Sequence, residues 1–215
     1  MNHSRRPKLP FGRILFFALV LLLVAAIAIL GWRIIELIRE PKEITALRRL
    51  DIPAWVESDL IVFDGASRRG TSLEALNAIV IHYVGNPGTT AKQNRNYFNN
   101  PNSTVSAHFV IGLDGEILQC IPLNEKSSAS THRNSDTISI EVCHPDESGV
   151  FTDETYAALV RLSAWLCAST ALDETQIIRH YDVTGKICPR WFVEDEAAWA
   201  AFLADVKNEI ANSAT

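Results

Sequence analysis

The hydrophobic pattern divides the chain into one long apolar run and a longer stretch of short alternating elements. Residues 14–32 carry no charge and read Ile-Leu-Phe-Phe-Ala-Leu-Val-Leu-Leu-Leu-Val-Ala-Ala-Ile-Ala-Ile-Leu-Gly-Trp. As a helix this run is about 28 Å long, against a hydrocarbon core of roughly 30 Å, so it predicts a single membrane-spanning helix. The Ala-Ile-Ala at 26–28 offers the other reading, a cleaved signal peptide. Against it, the run exceeds the usual signal core of about 7–15 residues, and Ile-Leu-Gly-Trp carries it past the match. Arg5, Arg6 and Lys8 precede the span, while Arg33, Arg39 and Lys42 follow it among Glu36, Glu40 and Glu43. The short basic side favours the N-terminus inside and the rest outside. The expected layout is a basic cytoplasmic tail over 1–13, an anchor over 14–32, a helical juxtamembrane stalk over 33–51 and a soluble domain over 52–215.

Within the soluble part, Ala-Ile-Val-Ile-His-Tyr at 78–83 is a near-continuous run of strand formers, suited to a strand buried on both faces. Gly85-Asn-Pro-Gly88 follows as a turn, and Thr89 or Thr90 can cap a helix over 91–98. Segments 107–111 and 116–121 flank Leu113-Asp-Gly115 and predict an antiparallel hairpin. A loop rich in Ser, Thr and Asn over 127–136 leads to a strand over 137–143. Thr152 or Asp153 can cap a helix over 154–167, in which Tyr156, Leu159, Val160, Ser163 and Leu166 recur at helical spacing. A short strand over 176–179 and a helix over 194–210 complete the pattern, with Trp165 and Trp199 expected in the core. Residues 179–191 hold too many turn formers to be a helix. The composite is an α/β domain with a mixed central sheet flanked by helices.

Composition changes this picture little. Apolar residues make up 47% and charged residues 21%, the profile of a folded protein. A net charge of −5 gives no reason to expect nucleic acid as a partner. Cys120, Cys143, Cys167 and Cys188 are widely spaced, with no CxxC pair. A domain of this length needs no disulfides, and the first three fit ordinary buried thiols.

The candidate chemistry centres on Arg-His-Tyr-Asp-Val-Thr-Gly-Lys-Ile-Cys-Pro-Arg-Trp at 179–191. Imidazole nitrogen and thiolate are preferred zinc ligands, and three protein ligands with an open fourth position mark a catalytic site. His180 and Cys188 supply two. His82 is the best third, because it ends a buried strand as His180 follows one, and neighbouring strand ends would bring the two rings together. Glu141, a carboxylate in an otherwise apolar strand, suits a general base whose pKa is raised by burial. Lys186 can stabilise an oxyanion as a positioned cation. His108 lies in a strand as either a core residue or a cleft wall. His132 sits in a polar loop, where it either touches substrate or is merely exposed, and His144 beside Pro145 is expected at the surface.

The segments Ile-Val-Ile-His-Tyr-Val-Gly-Asn at 79–86, Ser-Ala-His-Phe at 106–109, Ser-Ile-Glu at 139–141 and His-Tyr-Asp-Val-Thr-Gly-Lys-Ile-Cys-Pro at 180–189 resemble the type-2 N-acetylmuramoyl-L-alanine amidases. That family includes phage endolysins, bacterial autolysins and peptidoglycan recognition proteins, and the resemblance spans about 52–210. It implies a zinc hydrolase of peptidoglycan or muropeptides that cuts the amide between the lactyl group of N-acetylmuramic acid and the L-alanine of the stem peptide. The anchor, which lies outside the resemblance, sets the expectation of a monomeric catalytic domain at the outer face of a bacterial membrane. His82, His180 and Cys188 fall on the zinc-ligand positions, Lys186 on the carbonyl-polarising position and Glu141 on the general-base position. A tyrosine that precedes the histidine in one phage branch is Ala107 here, which points to the glutamate-using branch. His132 falls in a loop that often carries a substrate-facing histidine, and His108 is the second candidate substrate contact. The resemblance also admits a non-catalytic receptor, since some recognition proteins of this fold bind muropeptides without cutting them. Loss of the cysteine ligand commonly marks those, and Cys188 is present.

Overall fold

The computed structural model describes residues 11–39 and 41–213, which divide into two units, one ending at Glu40 and the other beginning at Pro41. The expected tail over 1–13 lies almost wholly outside the described residues. The first unit is one helix, α1 (Phe11–Arg39). Its stretch Gly12–Ile35 has a mean hydropathy of 3.2 and is long and apolar enough to cross a membrane. Its large apolar side chains are exposed on every face rather than along one stripe, unlike the surface helix of a globular domain.

Pro41 opens the second unit and stands as N-cap of the short helix α2 (Lys42–Arg48). Ile44 and Leu47 of α2 are buried and belong to the main core. The expected stalk over 33–51 is therefore corrected: its second half is part of the domain. The reason is a spacing of three between Ile44 and Leu47, which puts both on one helix face. That face is too short to stand out beside the charges around it.

The sheet has six strands: β1 (Glu57–Ser58), β2 (Ala78–Tyr83), β3 (Phe109–Ile111), β4 (Ile117–Gln119), β5 (Thr137–Val142) and β6 (Ile177–Arg179). Their spatial order is β1-β4-β3-β5-β2-β6, and all neighbours run parallel except the expected hairpin pair β3 and β4. The two-residue β1 is too short to carry a period and is legible only as a partner of β4. The chain crosses between strands through α3 (Ala91–Phe98) and α4 (Asp153–Ser169), and ends in α7 (Glu196–Ser213). Thr90 caps α3 in a reciprocal capping box with Gln93, and Thr152 caps α4 through Thr155 N.

Alternation along the strands gives the sheet two different faces. Ile79 and Ile81 of β2, with Ile138, Ile140 and Val142 of β5, join the core formed with α4 and α7. An aromatic cluster of Tyr156, Trp191, Phe192, Trp199 and Phe202 fills the base of that layer. The opposite face carries a smaller cluster with Ala91, Phe98, Val110, Leu118 and Cys143 beneath α3. By the same alternation, His82, Ser139 and Glu141 point to this second face, where only α3 and loops cover the sheet. Cys120, Cys143 and Cys167 are free buried thiols, as expected.

The second face also explains His108, which the structure removes from the substrate contacts. Its ring is fully buried. Nδ1 accepts from Ser139 N at 3.0 Å and Nε2 lies 2.8 Å from the Glu125 carbonyl oxygen. Nε2 therefore carries the proton, and protonating Nδ1 as well would break the Ser139 bond. Burial pushes this pKa down to about 4, opposed by the bond to the Glu125 carbonyl and by the Glu125 charge. The unfolded chain, with an ordinary pKa near 6.5, binds the extra proton first as pH falls. The stabilisation is complete above pH 6.5 and is lost between there and about pH 4, a change on the order of 3 kcal/mol. Urea unfolding across that window should show the loss, and His108→Gln should flatten it. An equal drop in both proteins would assign the effect to other groups.

Candidate metal centre

Three elements deliver the site to the exposed face of the sheet. His82 and Glu141 are direct register partners on β2 and β5, so their side chains leave the same face one strand apart. On the other side of β2, Arg179, the last residue of β6, pairs with Ile81, and His180 follows it immediately. This register gives the strand-end juxtaposition expected from the sequence. His82 Nδ1 and His180 Nδ1 lie 3.1 Å apart, with ring centroids separated by 4.5 Å.

The segment 179–191 is more regular than expected. It contains one single-turn helix, α5 (His180–Thr184), and ends in the start of a second, α6 (Arg190–Glu194). Asp182 starts α5 by accepting from Arg179 N at 2.8 Å, and Gly185 ends it in the left-handed conformation at φ 76°. Arg179 clamps the corner: its guanidinium donates to Asp182, to the Phe192 carbonyl oxygen and to Glu196. Tyr181 N donates to the Cys188 carbonyl oxygen at 2.9 Å, folding the loop back so that Cys188 faces the histidines. Turn formers thus mark the ends of α5 rather than exclude a helix.

Cys188 Sγ lies 3.9 Å from His82 Nδ1. The ligand atoms of His82, His180 and Cys188 all fall within 4.8 Å of one another, and all three residues are buried. Ligands at about 2.0–2.3 Å around one tetrahedral ion stand roughly 3–4 Å apart, so the set fits a metal ion. Protonation agrees for the imidazoles. Burial lowers the pKa of His82 well below its ordinary value, helped by His180 and Lys186, and burial with Lys186 lowers that of His180. Both shifts favour the neutral ring, the form in which imidazole can bind a metal. The Cys188 thiol is pushed up to about 12 by burial and by Glu141, opposed by the Tyr83 backbone N–H and Lys186. A coordinating cation is what removes such a proton, since a metal-bound thiol is deprotonated outright.

The trio opens into a cleft of about 220 Å³ whose walls include Asn94, Tyr97, Val105, Glu141 and Lys186. Tyr97 and Val105 are exposed apolar side chains among those that line it. Glu141 is half-buried, and its Oε2 is shut off from solvent with no hydrogen-bond partner. Burial raises its pKa to about 8, and the Lys186 cation opposes that rise. A carboxyl in this condition can both take up and release a proton near neutral pH. Lys186 itself is exposed on the same cleft.

Two other expectations resolve differently. His132 is exposed on the 3-10 turn Thr131–Ser135 and does not line the cleft. Ser130, two residues earlier, instead lies with its Oγ 3.1 Å from His82 Nε2, a contact that nothing in its polar loop signals. His144 is buried rather than at the surface: it stacks on Tyr83 at 5.0 Å, and its Nδ1 lies 2.7 Å from the Asp146 carbonyl oxygen.

The profile of the family described as N-acetylmuramoyl-L-alanine amidase matches residues 72–191, which include all three possible ligands, Glu141 and Lys186. The chain belongs to the type-2 N-acetylmuramoyl-L-alanine amidase family. Among curated family members, it is 32% identical to the amidase CwlL of Bacillus licheniformis over 163 residues, 68% of this chain and 45% of that one. It is 30% identical to the amidase BlyA of Bacillus subtilis (strain 168), over 66% of this chain and 44% of that one. The chain thus spans less than half the length of these relatives. The amidase-family fold is shared with the catalytic domain of XlyA, at a TM-score of 0.62 and 26% identity, over 70% of this chain and 98% of that domain. PlyL shares the fold at a TM-score of 0.64 and 23% identity, over 72% of this chain and 98% of that chain.

Proposed function

We propose that this chain is a zinc-dependent peptidoglycan amidase that hydrolyses the bond between the lactyl group of N-acetylmuramic acid and the L-alanine of the stem peptide. The observation that carries this reading is the pairing of His82, His180 and Cys188 with the unpartnered Oε2 of Glu141 on one face of the sheet, in an open cleft. The three residues would hold zinc. Zinc held there supplies a water of lowered pKa and polarises a carbonyl oxygen.

The remaining work belongs to the chain. Glu141 Oε2 accepts the proton of the attacking water and returns it to the departing nitrogen of L-alanine, leaving a lactyl carboxylate and a free amine. Lys186 Nζ brings a positive charge to the cleft where the carbonyl oxygen becomes anionic. Tyr97 and Val105 give the substrate an apolar wall. Residues 14–32 anchor the protein in the bacterial membrane, with the domain that begins at Pro41 on the cell-wall side.

One preparation tests both parts. The chain should stay in alkali-washed membranes at full length and, once extracted, release stem peptides beginning at L-alanine from purified peptidoglycan. Tight binding to intact wall without release would favour the receptor reading. A soluble form starting near Ile29 would replace the anchor by a cleaved signal.

A further inference from the structure

His82 has a second polar contact on the side of its ring away from the metal centre. Its Nε2 lies 3.1 Å from Ser130 Oγ. His82 is 2% exposed and Ser130 fully buried, so water has no ready access to this contact. A neutral imidazole carries one N–H, and the nitrogen facing a metal must offer its lone pair instead. Both Cys188 Sγ and His180 Nδ1 approach Nδ1 of His82, which makes Nε2 the nitrogen that keeps the proton. That proton points at Ser130 Oγ.

The loop is built to hold the hydroxyl there. Asn134 Oδ1 accepts from Ala129 N at 3.1 Å and from Ser130 N at 2.6 Å, fixing the backbone on both sides of the Ser130 amide. The next residue, Thr131, sits at φ 54°, a left-handed conformation that β-branched residues rarely adopt. A surface loop with no task has no reason to keep that conformation at a threonine.

We infer that Ser130, clamped by Asn134, is the positioning residue whose Oγ accepts a hydrogen bond from His82 Nε2–H and thereby leaves Nδ1 free to serve as the metal-binding nitrogen. This rests on the zinc reading above and extends it to the layer behind the ligands, where partners of metal-bound histidines fix tautomer and ring orientation. The serine touches neither substrate nor metal; it acts through His82.

The test uses the full chain in detergent, loaded with Zn²⁺, with the affinity read by competition against a chromophoric chelator. Nitrogen-15 NMR of His82 in the zinc-loaded wild type should show the proton on Nε2, in slow exchange with water. Ser130→Ala should weaken zinc binding roughly 10- to 100-fold and speed that exchange, and Ser130→Thr should restore both. Zinc on Nε2, or equal affinity and exchange in wild type and Ser130→Ala, overturns the inference while the zinc reading stands. A wild-type chain that takes up no zinc overturns the metal reading and this inference together. The wild-type NMR measurement decides the matter even if a variant does not fold.

Discussion

Glu141→Gln should lower turnover on purified peptidoglycan by about 10²- to 10⁴-fold, the range for losing a positioned general base, while zinc content stays near wild type. Glutamine keeps the shape of the side chain and removes its ability to take a proton. The substitution falls on the cleft face of β5, whereas Ile138, Ile140 and Val142 of the same strand hold the core. Stability should therefore change little, and the buried Oε2 has no existing bond to lose. Turnover near the wild-type rate would remove Glu141 from the role of base. Turnover and zinc lost together would place it among the ligands instead.

Cys188→Ala should weaken zinc binding by more than about 100-fold, beyond what the loss of an outer partner costs, and abolish turnover with it. Thiolate is the softest donor of the three, and two histidines alone leave the ion half-ligated. The side chain is buried but small, and the loop that carries it is held by Tyr181 N and by the fully buried Phe192 just beyond. The fold should persist in the variant. Metal content after dialysis, together with melting temperature with and without added Zn²⁺, checks the result: zinc should raise the wild-type melting temperature and leave that of the variant unchanged. Unaltered zinc affinity would take Cys188 out of the site.

What the sequence made legible follows the length over which a pattern repeats. The apolar run at β2 fills the strand but for His82 and Tyr83, and β5 alternates Ile138, Ile140 and Val142 with polar positions of which Glu141 alone is charged; the register sets His82 and Glu141 side by side. The rest of the site depends on contacts with no local signature. His82 lies in β2 and His108 immediately precedes β3, yet one opens to the cleft and the other is sealed in by Ser139 and Glu125. Only the covering loop distinguishes them, and its path is a tertiary property. Ser130 is one of several serines in a polar stretch, distinguished by Asn134 closing the loop behind it. The helix α2 was hidden differently: two apolar residues among charges carry too little periodicity to separate a packed turn from a solvated stalk.

The position of β6 gives the metal centre a mechanical meaning. This strand has three residues, forms the edge of the sheet and pairs with β2 alone. Edge pairings this short are where a sheet frays first. An ion shared by His82 and His180 would rivet that edge to its neighbour and close a loop 98 residues long. Metal retention and edge integrity then become one property. Heat or chelation would inactivate the protein by unfastening a border of the sheet, well before the layer of α4 and α7 on the other face gives way.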